Sequence, residues 1–472
     1  MQKSKFISVF YNLSPHEKIA FKKWVYSPCF NKNEQIKRLL DYFYPINLGK
    51  DRQLLDRALV YKAIFGDKPF DNVPLRYLSS ELMQLLEQFL VFQYRKTQAI
   101  DFQLDLSQIY KEKGLNQLCQ QSIQKASKQY QKQTYQDTKR LNLDYKIESI
   151  VYHSNVDKDR STSNNLQALN NAFDQKYIAE KLKHSCRILS HQGMYTQQYD
   201  TGLLKEVLGY LAEHPIYLKT PAIGLYYYYY MASTSTEEET VFFQEFKQYL
   251  FQYQALFERE EIRDLYILAT NYSIKRLNTN QRDYYLQETF ELYQQALKAN
   301  ILLENEKISP FAFTNIVAIG LGLKKYPWTW DFMEAYTAYL PHKIRRAYSD
   351  YNLSRWYFHQ KKYQKAEELL VADDFEDLHL NVSAKMLLLK IYYEVGEFQL
   401  LDAILNRFRT YLSRQKDLVY HKKNYTNIIR FTQRLVSINP FSKKAKEKLQ
   451  KDIEKVDILT EKTWLLEQLG AL

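Results

Sequence analysis

The side chains best suited to chemistry at close spacing are His184, Cys186 and His191, in the stretch HSCRILSHQ. Imidazole and thiolate are zinc ligands, and a structural zinc site takes four of them. On a helix, His184 and His191 stand seven apart and share a face, while Cys186 points away. No Cys-x-x-Cys or His-x-x-x-His motif supplies more ligands, so ordinary helix residues and no metal are expected. The stretch GLGLKK (Gly320–Lys325) has two glycines but neither the six-residue phosphate-binding fingerprint nor a strand before it. Close packing of helices is the expectation there. Asp373 and Asp374 are adjacent carboxylates in a segment that reads as a solvated loop. No set joins a nucleophile to a base or two carboxylates across a cleft, so neither catalytic residues nor a cofactor are expected.

Tyrosine is the compositional anomaly. There are 41 in 472 residues, beside 26 Phe and 5 Trp, and five run consecutively from Tyr226 to Tyr230 in GLYYYYYMASTST. Phenol rings bring large contact area at low entropy cost and keep a hydroxyl for polar contacts. They can line a binding surface or fill the space between helices. Consecutive helical residues are 100° apart, so no single surface can use all five. A helix aromatic on every side is one buried among neighbours. The following STSTEEE reads as a loop and a new cap, Thr236 with Glu239.

The elements that hold these residues are helices. Glycine and proline number only 11 each, against about 33 glycines at average usage. Nucleotide-binding loops and turn-rich β folds need more of both. No proline occurs between Pro74 and Pro215. The formal charge is +12, with net +6 in residues 1–50 and net +7 in residues 401–472, leaving a near-neutral middle. Basic ends suit an acidic partner or simply solubility. The run SKKAKEKLQKDIEKVD interleaves Lys with Glu and reads as a solvated helix face, since phosphate contact favours basic residues without interspersed acids. Three dispersed cysteines fit a reducing compartment. No apolar run approaches the roughly 20 residues of a membrane span, and the first residues lack a leader cleavage pattern. A cytoplasmic location is expected.

Local signals place the helices. SPHEKIAFKKWVY carries a capping box, with Ser14 as cap and Glu17 three residues on, and Pro15 at the first helical position. Helices are predicted over 34–44, 51–65 (ended by Gly66) and 75–96, forming a small N-terminal domain (1–96) without a helix-turn-helix pattern. Beyond it, helix and turn alternate. Gly114 is a break, SNVDKDRSTSNN is a loop, and Gly193 opens another break.

Near the C-terminus the chain repeats itself. At a shift of 35, Leu353 falls on Leu388, Tyr357 on Tyr392, Tyr363 on Phe398, Ala366 on Leu401 and Leu370 on Leu405. This pattern resembles the tetratricopeptide repeat (TPR), a 34-residue helix pair. Leu353, Ser354, Tyr357, Ala366 and Leu370 fill the family's positions in the first copy. Leu388, Tyr392 and Leu405 fill them in the second, with Gly396 at the turn. Asp350, Asp373, Leu378 and Leu401 depart from it. Looser units precede, and one helix pair cannot bury both its apolar faces, so an array is expected.

The resemblance implies an all-α fold: a small N-terminal helical domain, a degenerate helical-hairpin array over 97–310, and TPR-like repeats with C-terminal capping helices over 311–472, wound as a right-handed α-solenoid. It also implies that the first helix of each pair lines a concave face. Tyr351, Arg355 and Phe358, then Met386, Lys390 and Tyr393, would point into it, each trio spaced i, i+4, i+7. Aromatic rings mixed with Arg and Lys suit a peptide bearing acidic and apolar groups. The expected function is a non-catalytic scaffold that binds a protein or peptide. The alternative is a nucleic-acid-associated or ligand-sensing regulatory protein with a basic N-terminal domain.

Overall fold

A computed structural model describes residues 1, 4–155, 165–192, 197–235, 239–277, 281–372, 375, 377–414, 419–456, 458–459 and 461–472. Thr236, most of the loop SNVDKDRSTSNN, Gly193 and the pair Asp373–Asp374 lie outside these residues. The described residues are all-α apart from one two-residue hairpin. They form two compact units, residues 1–134 with 138–177, and residues 135–137 with 178–472.

The first unit opens with α1 (Lys5–Phe10), α2 (Pro15–Tyr26), α3 (Glu34–Phe43), α4 (Arg57–Phe65) and α5 (Asn72–Thr97). Ser14 and Glu17 form the expected capping box, with Ser14 N–H donating to Glu17 Oε2 at 2.8 Å and Glu17 N–H to Ser14 Oγ at 3.3 Å. The predicted helix over 51–65 is divided. Asp56 accepts from the N–H groups of Ala58 and Leu59, so a fresh helix starts there after a short 3-10 turn, Arg52–Leu55. Phenylalanines fill this core: Phe6, Phe10, Phe21, Phe43 and Phe89 are each fully buried. Next come α6 (Ala99–Glu112), α7 (Asn116–Gln131) and α8 (Thr138–Asn155). Gly114, at φ +73°, turns α6 into α7, and Ile100, Leu104, Ala126 and Ile147 pack among them.

Helix α9 (Leu166–Gln192) contributes its residues from Ile178 onward to the second unit. There follow α10 (Leu204–Glu213), α11 (Pro221–Thr234), α12 (Glu239–Tyr253), α13 (Arg259–Arg276), α14 (Arg282–Lys298), α15 (Pro310–Gly322), α16 (Tyr326–Tyr336), α17 (Arg345–His359), α18 (Tyr363–Val371), α19 (Leu378–Val395), α20 (Phe398–Arg414), α21 (Val419–Ser437), α22 (Lys443–Glu454) and α23 (Lys462–Ala471). From α11 to α20 the helices pack as consecutive pairs. First helices also meet, α15 against α17 and α17 against α19, and each second helix from α14 to α20 meets the next first helix.

The turn inside the pairs recurs. Lys325 N–H donates to Gly320 O, Lys362 N–H to Tyr357 O and Glu397 N–H to Tyr392 O, each at 2.9 Å. The residue before each donor is left-handed: Lys324 at φ +57°, Lys361 at +55° and Gly396 at +81°. This is the six-to-one closure of a helix C-terminus. The last two copies stand at the same 35-residue shift as Tyr357 and Tyr392. Gly320 packs closely, as expected of GLGLKK: a Cβ there would lie 2.3 Å from Thr329 Oγ1 on α16.

The five tyrosines all lie on α11. Tyr226 and Tyr229 are buried, and Tyr227, Tyr228 and Tyr230 are half-buried. The Tyr226 hydroxyl donates to Glu261 Oε1 of α13 at 2.9 Å, and Lys183 of α9 reaches the same carboxylate at 3.2 Å. One buried acid therefore joins three helices, its charge matched by Lys183.

Two features had no counterpart in the sequence reading. Leu303–Glu304 pairs antiparallel with Lys307–Ile308, through Asn305 and Glu306 at φ +48° and +59°, the backbone of a two-residue hairpin turn. The chain also divides after Glu454, so that α22 and α23 are separate helices.

Candidate functional site

Helices α17 and α19 pack against each other, and among the six candidate residues Lys390 meets Phe358 across that contact. Tyr351 and Phe358 are buried, and Arg355, Met386, Lys390 and Tyr393 are half-buried. Lys390 Nζ stands 5.1 Å from the Phe358 ring centre, and the Arg355 guanidinium 5.7 Å from that of Tyr351. Both are cation–π distances. Arg355 Nη1 also donates to Thr314 O of α15 at 3.2 Å and to Asn352 Oδ1 at 3.4 Å.

The chain's own last helix reaches this face. Glu461, the residue just before α23, accepts from Lys390 Nζ at 2.9 Å. One turn on, the Trp464 ring meets Tyr393 edge to face at 5.5 Å and lies 5.6 Å from Lys390 Nζ. Its indole N–H donates to Glu394 Oε1 at 2.7 Å, and Gln468 Nε2 reaches the same oxygen at 3.5 Å. Glu461, Trp464 and Gln468 are spaced i, i+3, i+7, one helix face. That spacing was present in TEKTWLLEQL, but nothing local in the sequence names the surface it meets.

The electrostatics of this corner are lopsided. Arg355, Lys390 and His359 all act electrostatically on one carboxylate. Burial works to raise the Glu461 carboxyl, but Lys390, then Arg355 and His359, hold it below the usual range. Burial first, then the charges of Arg355 and Lys390, push the His359 imidazole down to about 4. His359 nevertheless keeps an exposed surface, so solvent screens part of that effect.

Further along the first helices is a cavity of about 540 Å³. Tyr229 of α11, Asn271, Tyr272, Lys275 and Arg276 of α13, and Asn315 of α15 line it, with residues of α9. Arg276 stacks on Tyr272 at 3.8 Å and pairs with Glu239 at 2.6 Å. Asn271 and Lys275, four apart on α13, are exposed. Asn315 follows Thr314, so α15 carries both a wall residue of the cavity and the backbone acceptor of Arg355.

The other chemical candidates separate. Cys186 is buried, with its Sγ 3.3 Å from Tyr226 O, and burial pushes its thiol well up. His184 stands 3.6 Å from Glu180, and His191 Nδ1 lies 3.0 Å from the Tyr199 hydroxyl. No group of three or more His, Cys, Asp or Glu converges among the described residues, and no described helix is long and apolar enough to cross a membrane. Among the basic residues near the N-terminus, Lys22 pairs with Asp41 at 2.8 Å and Lys37 with Glu34 at 2.6 Å. In α22, Lys443, Lys444, Lys448 and Lys451 are exposed.

No family model, curated protein or solved structure matches this chain.

Proposed function

We propose that the protein is a non-catalytic scaffold whose paired helices form a TPR-like right-handed solenoid and take up a peptide along their first helices. The carrying observation is the cavity between α9, α11, α13 and α15, edged by the exposed Lys275 and Asn271. Tyrosine walls supply apolar area, amides supply donors and acceptors for a peptide backbone, and the cations favour acidic side chains. The recurring helix closure and the 35-residue shift support the repeat reading.

The test is selection from a random peptide library on the whole chain. Enriched peptides are expected to combine Asp or Glu with aromatic residues. Lys275→Glu is expected to weaken them at least tenfold with the circular dichroism spectrum unchanged. No binders, or binders indifferent to Lys275→Glu and Asn271→Ala, would remove the reading. Nucleic-acid binding that falls steeply with salt through counterion release would favour the alternative function instead.

A further inference from the structure

We infer that α23 is a resident ligand of the α17–α19 face, and that this face takes a partner helix presenting an acidic residue and, three positions on, a tryptophan. The inference rests on the peptide-binding reading above and names its partner class.

The face contains two matched subsites. One is cationic: Lys390 holds the Glu461 carboxylate at 2.9 Å, and Arg355 adds a second positive charge. The other is an indole seat. Tyr393 and Lys390 contact the Trp464 ring, and Glu394 accepts its N–H at 2.7 Å. An indole has one donor and no acceptor, so a carboxylate beside an aromatic edge selects it over phenylalanine.

The contacts α23 makes here are side-chain contacts. They come from three side chains at i, i+3 and i+7, and none depends on the covalent link to α22. On an adjoining face α23 buries Leu465 and Leu469 in the core shared with α21 and α22. A competitor must therefore carry apolar residues one and five positions after its tryptophan. The resulting signature is acid-x-x-Trp-apolar-x-x-polar-apolar on an amphipathic helix, a helix-in-groove mode of recognition.

The probe is a fluorescent synthetic peptide of residues 458–472, titrated into the full chain. The parent is expected to bind it weakly, because the resident helix competes at high effective concentration. Glu461→Gln in the chain weakens the resident and is expected to tighten peptide binding at least tenfold. Trp464→Ala is expected to act in the same direction. Glu461→Gln leaves the apolar side of α23 intact, so the inference remains testable if Trp464→Ala fails to fold. Replacing the peptide's own acid with Gln is expected to cost at least tenfold.

Equal affinity for parent and variants, no binding to Glu461→Gln, or indifference to the peptide's acid would each overturn the inference. Dimers of Glu461→Gln formed without peptide would overturn it in favour of helix exchange between copies. If library-selected peptides respond to Lys275→Glu but not to Glu461→Gln, the peptide-binding function stands and this inference alone falls.

Discussion

Lys390 and Glu461, 71 residues apart, form an ion pair at 2.9 Å that ties α19 to the start of the last helix, with side chains 15% and 25% exposed. Lys390→Glu would set a second carboxylate against Glu461, near the Glu394 carboxylate that already accepts from Trp464. We expect a loss of about 1–3 kcal/mol, below the full cost of a completely buried pair because water still reaches both groups. The double variant Lys390→Glu/Glu461→Lys should recover part of it. Urea denaturation of the four chains gives the coupling energy. A coupling near zero would mean that the pair contributes nothing.

A second ion cluster is more deeply enclosed. Lys247 of α12 lies 2.7 Å from Glu288 and 2.8 Å from Glu291 of α14, with the Lys247 and Glu288 side chains each 10% exposed. Lys247→Met keeps most of the side-chain volume and strands the buried Glu288 carboxylate, while Glu291 stays in water. A loss of about 3 kcal/mol is expected, read as a lower denaturation midpoint. Glu288→Gln/Lys247→Met should lose less than Lys247→Met, because the stranded charge is gone.

Two glycines should respond in opposite directions to alanine. At Gly224 in α11 a Cβ would lie 2.5 Å from the backbone oxygen of Leu218 and 2.8 Å from the Tyr249 ring. A backbone oxygen cannot rotate away, so Gly224→Ala should cost about 1–3 kcal/mol. At Gly209 in α10 a Cβ meets nothing within 4 Å. There Gly209→Ala should stabilise by about 0.5–1 kcal/mol through helix propensity. Thermal midpoints of the two variants decide both.

Acid should weaken the fold through His359. Its imidazole is held down to about 4 by burial and by Arg355 and Lys390, whereas an unfolded chain takes up that proton below about pH 6.5. The unfolded state therefore binds more protons between these values, and stability falls as pH falls from about 6.5 towards 4. His359→Gln should flatten this slope, measured as the difference between urea midpoints at pH 7 and pH 5. Glu461, held below the carboxylate range, loses its contribution only at lower pH. A variant with the parent's slope would contradict the placement of His359 among these cations.

Helix content was legible where side chains act locally. The capping box at Ser14, the left-handed Gly66 and the spacing of Leu82, Leu85, Leu86 and Phe89 are signals within one or two turns. The divided helix at Asp56 was also a local signal, but an aspartate within an apolar run reads equally as a solvated helix residue. The Asn305–Glu306 turn carries no glycine to mark it. At the site, the spacing of Tyr351, Arg355 and Phe358 against Met386, Lys390 and Tyr393 was readable, because it follows from helix geometry. The contact of Trp464 with Tyr393 and Glu394 was not, because pairing across about 70 residues leaves no local pattern. The tyrosine run shows the same divide. Its helix could be inferred, but which rings are buried depends on Glu261 and Phe246, from helices later in the chain.

The tyrosine-dense interior also sets an alkaline limit. Burial, aided by neighbouring carboxylates, pushes the phenols of Tyr11, Tyr348 and Tyr392 up to about 12, and holds Tyr226 well above its ordinary value. An unfolded chain ionises its phenols near pH 10. Between about 10 and 12 each retained proton therefore favours unfolding, and the effect accumulates over many rings. Tyrosinate absorbs in the near ultraviolet where the phenol does not. The interior of this protein is thus its own optical indicator, and its colourless phenols should ionise together, in one step, as the helices melt.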